Sequence, residues 1–173
     1  PDLNFSIILF FMSSQKWSNV ENQYQRRLDL IPNLVNTVKG YASHEENTLT
    51  EVVNARAKAT QMQLNIDQLD EAALKKLSNI QGELSSALSR LMAISENYPD
   101  LKANQNFLDL QAQLEGTENR IAVERRKFND VARSYNAFIL QFPRNLVAGM
   151  FGFTSKPYFE ANAGAENAPK VEF

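Results

Sequence analysis

The chain has 173 residues, with 18 Lys+Arg against 20 Asp+Glu and a formal net charge of −2. That length can bury the core of one domain, and the near-neutral balance argues against nucleic acid as the main partner. There is no cysteine and only one histidine, His44, which excludes disulfides, a Cys nucleophile and thiolate or His-rich metal sites.

Residues 3–12 (LNFSIILFFM) form a short apolar run. A membrane-spanning helix needs about 20 apolar residues, so the run reads either as the remaining end of an N-terminal anchor or signal segment, or as a local apolar lead-in. Pro1 in place of Met reads as a fragment or a processed chain. From Trp17 the spacing turns helical: Trp17, Val20, Tyr24, Arg27, Ile31, Leu34, Val38 and Tyr41 step by three and four and share one face. This predicts a first helix over about 15–41, with a kink or restart near Pro32 and an end at Gly40. Ser43-His44-Glu45-Glu46 matches a capping box, with Ser43 as N-cap of a second helix over about 43–63. The 3/4 stepping also allows one long bent helix through 40–43.

Leu74, Leu77, Ile80, Leu84, Leu88, Leu91 and Ile94 predict a third helix over about 68–97, closed by Tyr98-Pro99. A fourth, over about 102–142, carries Phe107, Leu110, Leu114, Thr117, Ile121, Glu124, Phe128, Val131, Tyr135, Phe138 and Phe142 in strict alternation of three and four, a coiled-coil-like seam. No alternating strand pattern competes before residue 143. Residues 143–173 read as an apolar, aromatic arm to about Phe159 followed by a loose tail.

Short connections favour antiparallel neighbours. The expectation is all-α: an antiparallel up-down four-helix bundle over 17–142, with a lead-in at 1–16 and the arm and tail at 143–173. The fourth helix should overshoot the start of the first by about 20 Å at 1.5 Å per residue. The pole so formed gathers both Phe-rich ends of the chain: of 11 Phe, only Phe107 and Phe128 lie between residues 12 and 137.

Arg27 and Glu124 are charged residues on the long stripes, and counting levels from the 97–104 turn sets Glu118 and Glu124 opposite Arg26 and Arg27, which predicts a buried polar layer. It is either a polar site inside the bundle or an ion pair that fixes register, and on the second reading Glu124→Ala should destabilise the bundle. A carboxylate-bridged di-metal site needs Glu-x-x-His on two helices, which a lone His44 cannot supply. Neither a Gly-x-Ser-x-Gly elbow nor a phosphate-cradling Gly loop is present. The cluster Arg120, Arg125, Arg126, Lys127 and Arg133 is interleaved with acids and reads as a solvated face or a contact for an acidic partner or anionic lipid. Asn residues inside predicted helices, among them Asn129 and Asn136, suggest inter-helix hydrogen bonds or a polar groove. Residues 145–153 either cap the open end of the bundle, lie in a membrane interface or bind a protein. Trp17, Leu146, Val147, Met150, Phe151 and Phe153 are the candidate membrane- or partner-facing side chains.

WSNVENQYQRRLDLIPNLVNTVKGYASHEENTL (17–49), YPDLKANQNFLDLQAQLEGTENRIAVERRKFNDVARSYNAFILQFPRNLVAGMFGF (98–153) and KPYFEANAGAENAPKVEF (156–173) closely resemble the LemA family. The resemblance covers nearly all of Trp17–Phe173 and implies a bacterial protein with an N-terminal transmembrane anchor and a helical-bundle domain. It implies no catalytic residue, no cofactor and no metal. Some relatives are associated with building the magnetosome membrane. The pattern departs at residues 1–16, where a full-length anchor is absent.

The expected function is therefore a single-pass, inner-membrane helical bundle, non-catalytic, that holds an unidentified protein partner or lipid. The alternatives are a self-assembling homo-oligomer, packed through the Phe128–Phe142 half of the long helix, and a ligand- or metal-binding protein using Arg27, Glu118 and Glu124.

Overall fold

The computed structural model describes residues 2–141 and 144–160, and among them every regular element is a helix. Helix α1 is one element from Asp2 to Lys39, 38 residues long. Residues 3–12 are thus its first turns rather than a separate lead-in. Pro32 does not interrupt it. Proline lacks the N–H that would reach the carbonyl four residues back, and the Leu28 carbonyl instead accepts Arg56 Nε at 3.0 Å from the next helix.

Helix α2 covers Glu46–Gln61. The expected Ser43 cap is not formed: Glu45 occupies the N-cap position without a side-chain cap bond. Its carboxylate instead accepts Tyr98 Oη at 3.0 Å, which ties the α1–α2 turn to the end of the following hairpin. After a single 3-10 turn at Ile66–Gln68, helix α3 runs Glu71–Ser95, started by Asp70, whose Oδ1 accepts Ala73 N–H at 2.7 Å. Pro99 ends the approach to α3's terminus and opens a four-residue helix, α4 (Pro99–Lys102), at the position where proline's missing N–H costs nothing. Helix α5, Gln105–Leu140, is capped by Asn104, which accepts Phe107 N–H at 3.0 Å. Phe142 and Pro143, expected to close it, lie outside the described residues.

Helix α6 (Arg144–Met150) forms within the segment expected to be an arm. It ends in a Schellman turn: Phe153 N–H reaches Ala148 O at 2.9 Å and Gly152 N–H reaches Gly149 O at 3.4 Å. The turn needs a left-handed residue, and Gly152 supplies it at φ 74°.

Helices α1 and α5 lie antiparallel along their whole length. Thr37 meets Asn106, Arg27 meets Glu118, Trp17 meets Phe128 and Phe5 meets Phe138. The overshoot expected of the fourth helix is absent, because α1 extends back to Asp2 and α5, at 36 residues, matches it. The Phe-rich ends do meet, with Phe5–Phe138 centroids 4.7 Å apart and Phe10–Phe153 6.5 Å. Helices α2 and α3 are likewise antiparallel, joined by Lys58–Glu83 and Glu51–Arg90 ion pairs.

Among the described residues, three apolar clusters follow one another along the long helices. The first fills the space between the C-terminal half of α1, α2, α3 and the start of α5, around Ile31, Leu34, Leu84, Leu91 and Phe107. The second holds Trp17, Val20, Leu74, Ile121, Phe128 and Phe159. The third, at the pole, holds Leu9, Tyr135, Phe138, Ile139 and Ala148.

Candidate functional site

Past the first cluster, α3 and α5 stand apart. A groove of about 970 Å3 opens between them, floored by Tyr24 and Arg27 of α1. Ser78, Gly82, Ser85 and Ser86 line one wall, and Glu118, Ala122 and Arg125 the other. Residues 155–160 close one end.

Arg27 belongs to the core stripe of α1, between Tyr24 and Ile31, and as a residue it is only 1% exposed. Its neighbours satisfy it. Nη1 donates to Ser85 Oγ at 2.6 Å and to Glu118 Oε1 at 2.7 Å, and Nη2 donates to the Gln81 carbonyl at 3.2 Å and to the Gln81 side-chain oxygen. Only Nε is buried without a partner. The guanidinium bolts α1 to both helices that flank the groove. Tyr24 lies beneath it, its ring centroid 5.7 Å from the guanidinium carbon. Burial raises the Tyr24 phenol above its ordinary pKa, opposed by Arg125 and Arg27.

The expected polar layer is half formed. Arg27 and Glu118 pair, but Arg26 points to solvent. Glu124 does not reach Arg27: one oxygen contacts Lys127 Nζ at 3.4 Å and the other is buried without a partner. Its distance from the ion pair has a geometric cause, since residues 118 and 124 lie on different faces of α5 at 100° per residue. The Glu124→Ala expectation therefore passes to Glu118. Gln81 and Ser85 were missed. The signal for Gln81 was present, four residues after Leu77 and three before Leu84, a polar residue on an apolar stripe.

Trp17, expected to face a membrane or partner, is buried instead. Its Nε1–H donates to Leu64 O at 2.8 Å and its ring packs against Phe128 and Phe159. A lone amphipathic aromatic after an apolar run looks like an interface anchor, yet the arm covers it. Met150 is 83% exposed and Phe151 62% exposed, held outward by the Schellman turn. Phe153 is half-buried against Phe10. Leu146 and Val147 fall in α6, and their side chains lie outside the description.

The arm, residues 154–160, is gripped through its main chain. Asn136 donates to Lys156 O and accepts Lys156 N–H, both at 2.6 Å. Asn129 donates to Phe159 O at 3.1 Å and accepts Phe159 N–H at 2.8 Å. Each amide mimics a peptide group, so the helix face behaves like a strand edge. The Phe159 ring enters between Trp17 and Phe128 under the Arg125 guanidinium. Lys156 is buried beside the Phe10 ring, and that burial holds its pKa below the usual lysine value, against the opposing pull of Asp67. The seven-residue spacing of the two asparagines was the available signal.

Among the described residues no group of His, Cys, Asp and Glu could hold a metal ion, and His44 is exposed in the α1–α2 turn. No helix there is long and apolar enough to cross a membrane, so the transmembrane helix expected from sequence is not among them.

A family model described as the LemA family matches residues 16–173. A magnetosome protein MamQ of Magnetospirillum gryphiswaldense is 30% identical over 173 aligned residues, 90% of this chain and 64% of its own length. A magnetosome protein MamQ 2 of Paramagnetospirillum magneticum is 32% identical over 163, covering 84% of this chain and 60% of its own length. A protein LemA of Metamycoplasma hominis is 26% identical over 146, covering 84% and 63%. The chain thus spans less than two thirds of the length of these curated relatives.

Proposed function

This chain belongs to the LemA family, and from that premise we propose that it is a non-catalytic scaffold at the bacterial inner membrane. In this reading α1, α2, α3 and α5 form an up-down four-helix bundle that holds a protein partner while its apolar pole faces lipid. The antiparallel pairs α1–α5 and α2–α3 support the bundle. One observation carries the membrane reading: Phe5, Ile8, Phe11 and Met12 on α1, Leu140 on α5, Met150 at the end of α6 and Phe151 just after it are all exposed, and the elements bearing them meet at a single pole. Large exposed apolar patches mark protein or membrane contacts, and aromatics favour the membrane–water interface. The first turns of α1 would be the bundle-side end of a single-pass anchor.

Self-assembly through the second half of α5 finds less support, because Phe128, Tyr135 and Phe138 are buried within the chain. A ligand site built on Arg27, Glu118 and Glu124 is weakened by the separation of Glu124 from the other two.

Flotation with phosphatidylcholine–phosphatidylglycerol vesicles tests the reading. The parent chain should float, and a triple variant Phe11→Ser, Met150→Ser, Phe151→Ser should lose most of the floated fraction while keeping its helical circular dichroism. Equal flotation of the two, or none by the parent, overturns it.

A further inference from the structure

The grip of α5 on the arm is complete within five residues. The N–H and C=O of Lys156 bond Asn136, those of Phe159 bond Asn129, and the Glu160 carbonyl accepts Arg125 Nη2 at 3.3 Å. The two asparagines are seven residues apart, a rise of about 10.5 Å. Three extended residues cover about 10 Å, whereas three helical ones would cover only about 4.5 Å. The clamps are therefore spaced for a strand.

Two side chains of that strand are read. The Phe159 ring stacks on Trp17 at 6.1 Å and meets Phe128 edge-on at 5.9 Å, with the Arg125 guanidinium 4.5 Å from its centre. Three residues earlier, Lys156 is buried against the Phe10 ring and the Ile66 carbonyl. Main-chain bonds that give affinity, with pockets that give sequence, are how folded surfaces recognise extended peptides.

The arm is also built to leave. Thr154 and Ser155, which join it to the turn after α6, are exposed and make no hydrogen bond among the described residues. The Lys156 ammonium is buried beside a ring and a carbonyl, and Asp67 attracts it without pairing. Burying an ammonium without a paired counter-charge costs free energy, which offsets part of what the rings and amides contribute.

We propose that this face of α5 is a seat for an extended Lys-x-x-Phe segment, and that the arm of a second copy of the chain replaces the resident arm when copies are held close together. Every seat contact would be repeated between copies, since none depends on the Thr154-Ser155 link. The resident arm has an effective concentration of the order of millimolar, so exchange belongs to crowded copies. It joins them through their arms and leaves the seam of α5 buried. The inference rests on the scaffold reading for its purpose and gives that scaffold a protein partner. Its test is run without lipid, so that it and the membrane reading fail separately.

Two complementary full-length variants test the exchange. Lys156→Ser with Phe159→Ser keeps the seat and spoils the arm, and Asn129→Ala with Asn136→Ala keeps the arm and spoils the seat. Helical circular dichroism checks that each is folded. Mixed at about 50 µM, the tagged arm variant should retain at least about tenfold more of the seat variant than of a copy carrying all four substitutions. Attraction through the apolar pole is common to both mixtures and cancels. Equal retention overturns the proposal. Trp17, the only tryptophan in the chain, gives an independent measurement with every helix left intact. In Phe159→Ser its emission should shift to the red as its ring is uncovered. The peptide Thr-Ser-Lys-Pro-Tyr-Phe-Glu, the sequence of residues 154–160, should reverse that shift, and the same peptide with serine in place of phenylalanine should not. A peptide that leaves Trp17 unchanged, or a serine peptide that works equally well, overturns the seat itself.

Discussion

The two halves of α1 live in different molecules, physically speaking. From Leu28 to Val38 the helix is enclosed by α2, α3 and the start of α5, and its stripe is fully buried. From Asn4 to Met12 it packs against α5, α6 and the arm, and Phe5, Ile8, Phe11 and Met12 are exposed. The cause is the length of α2. At 16 residues against 38, it spans about 24 Å of a helix about 57 Å long. Where α2 stops, near the Trp17–Leu64 hydrogen bond, no long helix replaces it among the described residues, and a 3-10 turn, an extended arm and a short helix take over. A core closed on all sides can be aliphatic. The half-open one uses rings, amide clamps and a buried arginine, and it leaves the surfaces on which function is proposed.

Equivalent truncations in the two halves should therefore cost different amounts. Leu34 and Leu9 are both buried leucines of α1. Leu34→Ala should cost about 3–5 kcal/mol, the range for a leucine whose surroundings cannot collapse. Leu9→Ala should cost only about 2 kcal/mol, because its exposed neighbours can close over the gap. Urea unfolding measures both; equal losses would erase the distinction between the halves.

The Arg27 bolt marks the boundary, and its two partners should behave unequally. Glu118→Ala leaves a guanidinium buried with no counter-charge. The loss should be about 2–3 kcal/mol, below the ~3–5 kcal/mol of a fully buried pair, because the Glu118 side chain keeps 41% of its exposure. Arg27→Met removes the charge and keeps the apolar stem, and should cost less than about 1.5 kcal/mol. If Arg27→Met proves the worse of the two, the polar layer contributes more than register.

Much of the closed half could be read in the sequence, because its determinants are local. The 3/4 stripe of α1, the Tyr98-Pro99 stop and the Phe107–Ile121 seam all follow from periodicity and backbone chemistry. What escaped depends on contacts remote in sequence. Pro32 predicts a kink, and the helix runs on because Arg56, 24 residues later, bonds the orphaned Leu28 carbonyl. Ser43 predicts a cap, and the cap fails where Glu45 is taken by Tyr98. Arg27 was legible because it lies on the α1 stripe, and Glu118 because it stands level with it, whereas Glu124 lay on the α5 stripe but not on the face the arginine reaches. Beyond Phe128 the buried face of α5 widens to include Ala132, Asn136 and Ile139, because the arm packs there. A heptad reading tracks one seam and cannot anticipate a second.

The smallest predicted effect separates the groove from the rest of the helical surface. Gly82 and Gly116 sit inside α3 and α5, where glycine costs about 1 kcal/mol relative to alanine. Gly116→Ala should stabilise by about 0.5–1 kcal/mol, since the one close neighbour of its Cβ is the Arg120 guanidinium at 3.2 Å, the movable end of an exposed side chain. Gly82→Ala meets open space among the described residues, so it should gain as much. Thermal midpoints of the two variants against the parent give the comparison. A loss of stability on Gly82→Ala would show that the α3 wall of the groove is covered, while the helix propensity argument for Gly116 would still stand.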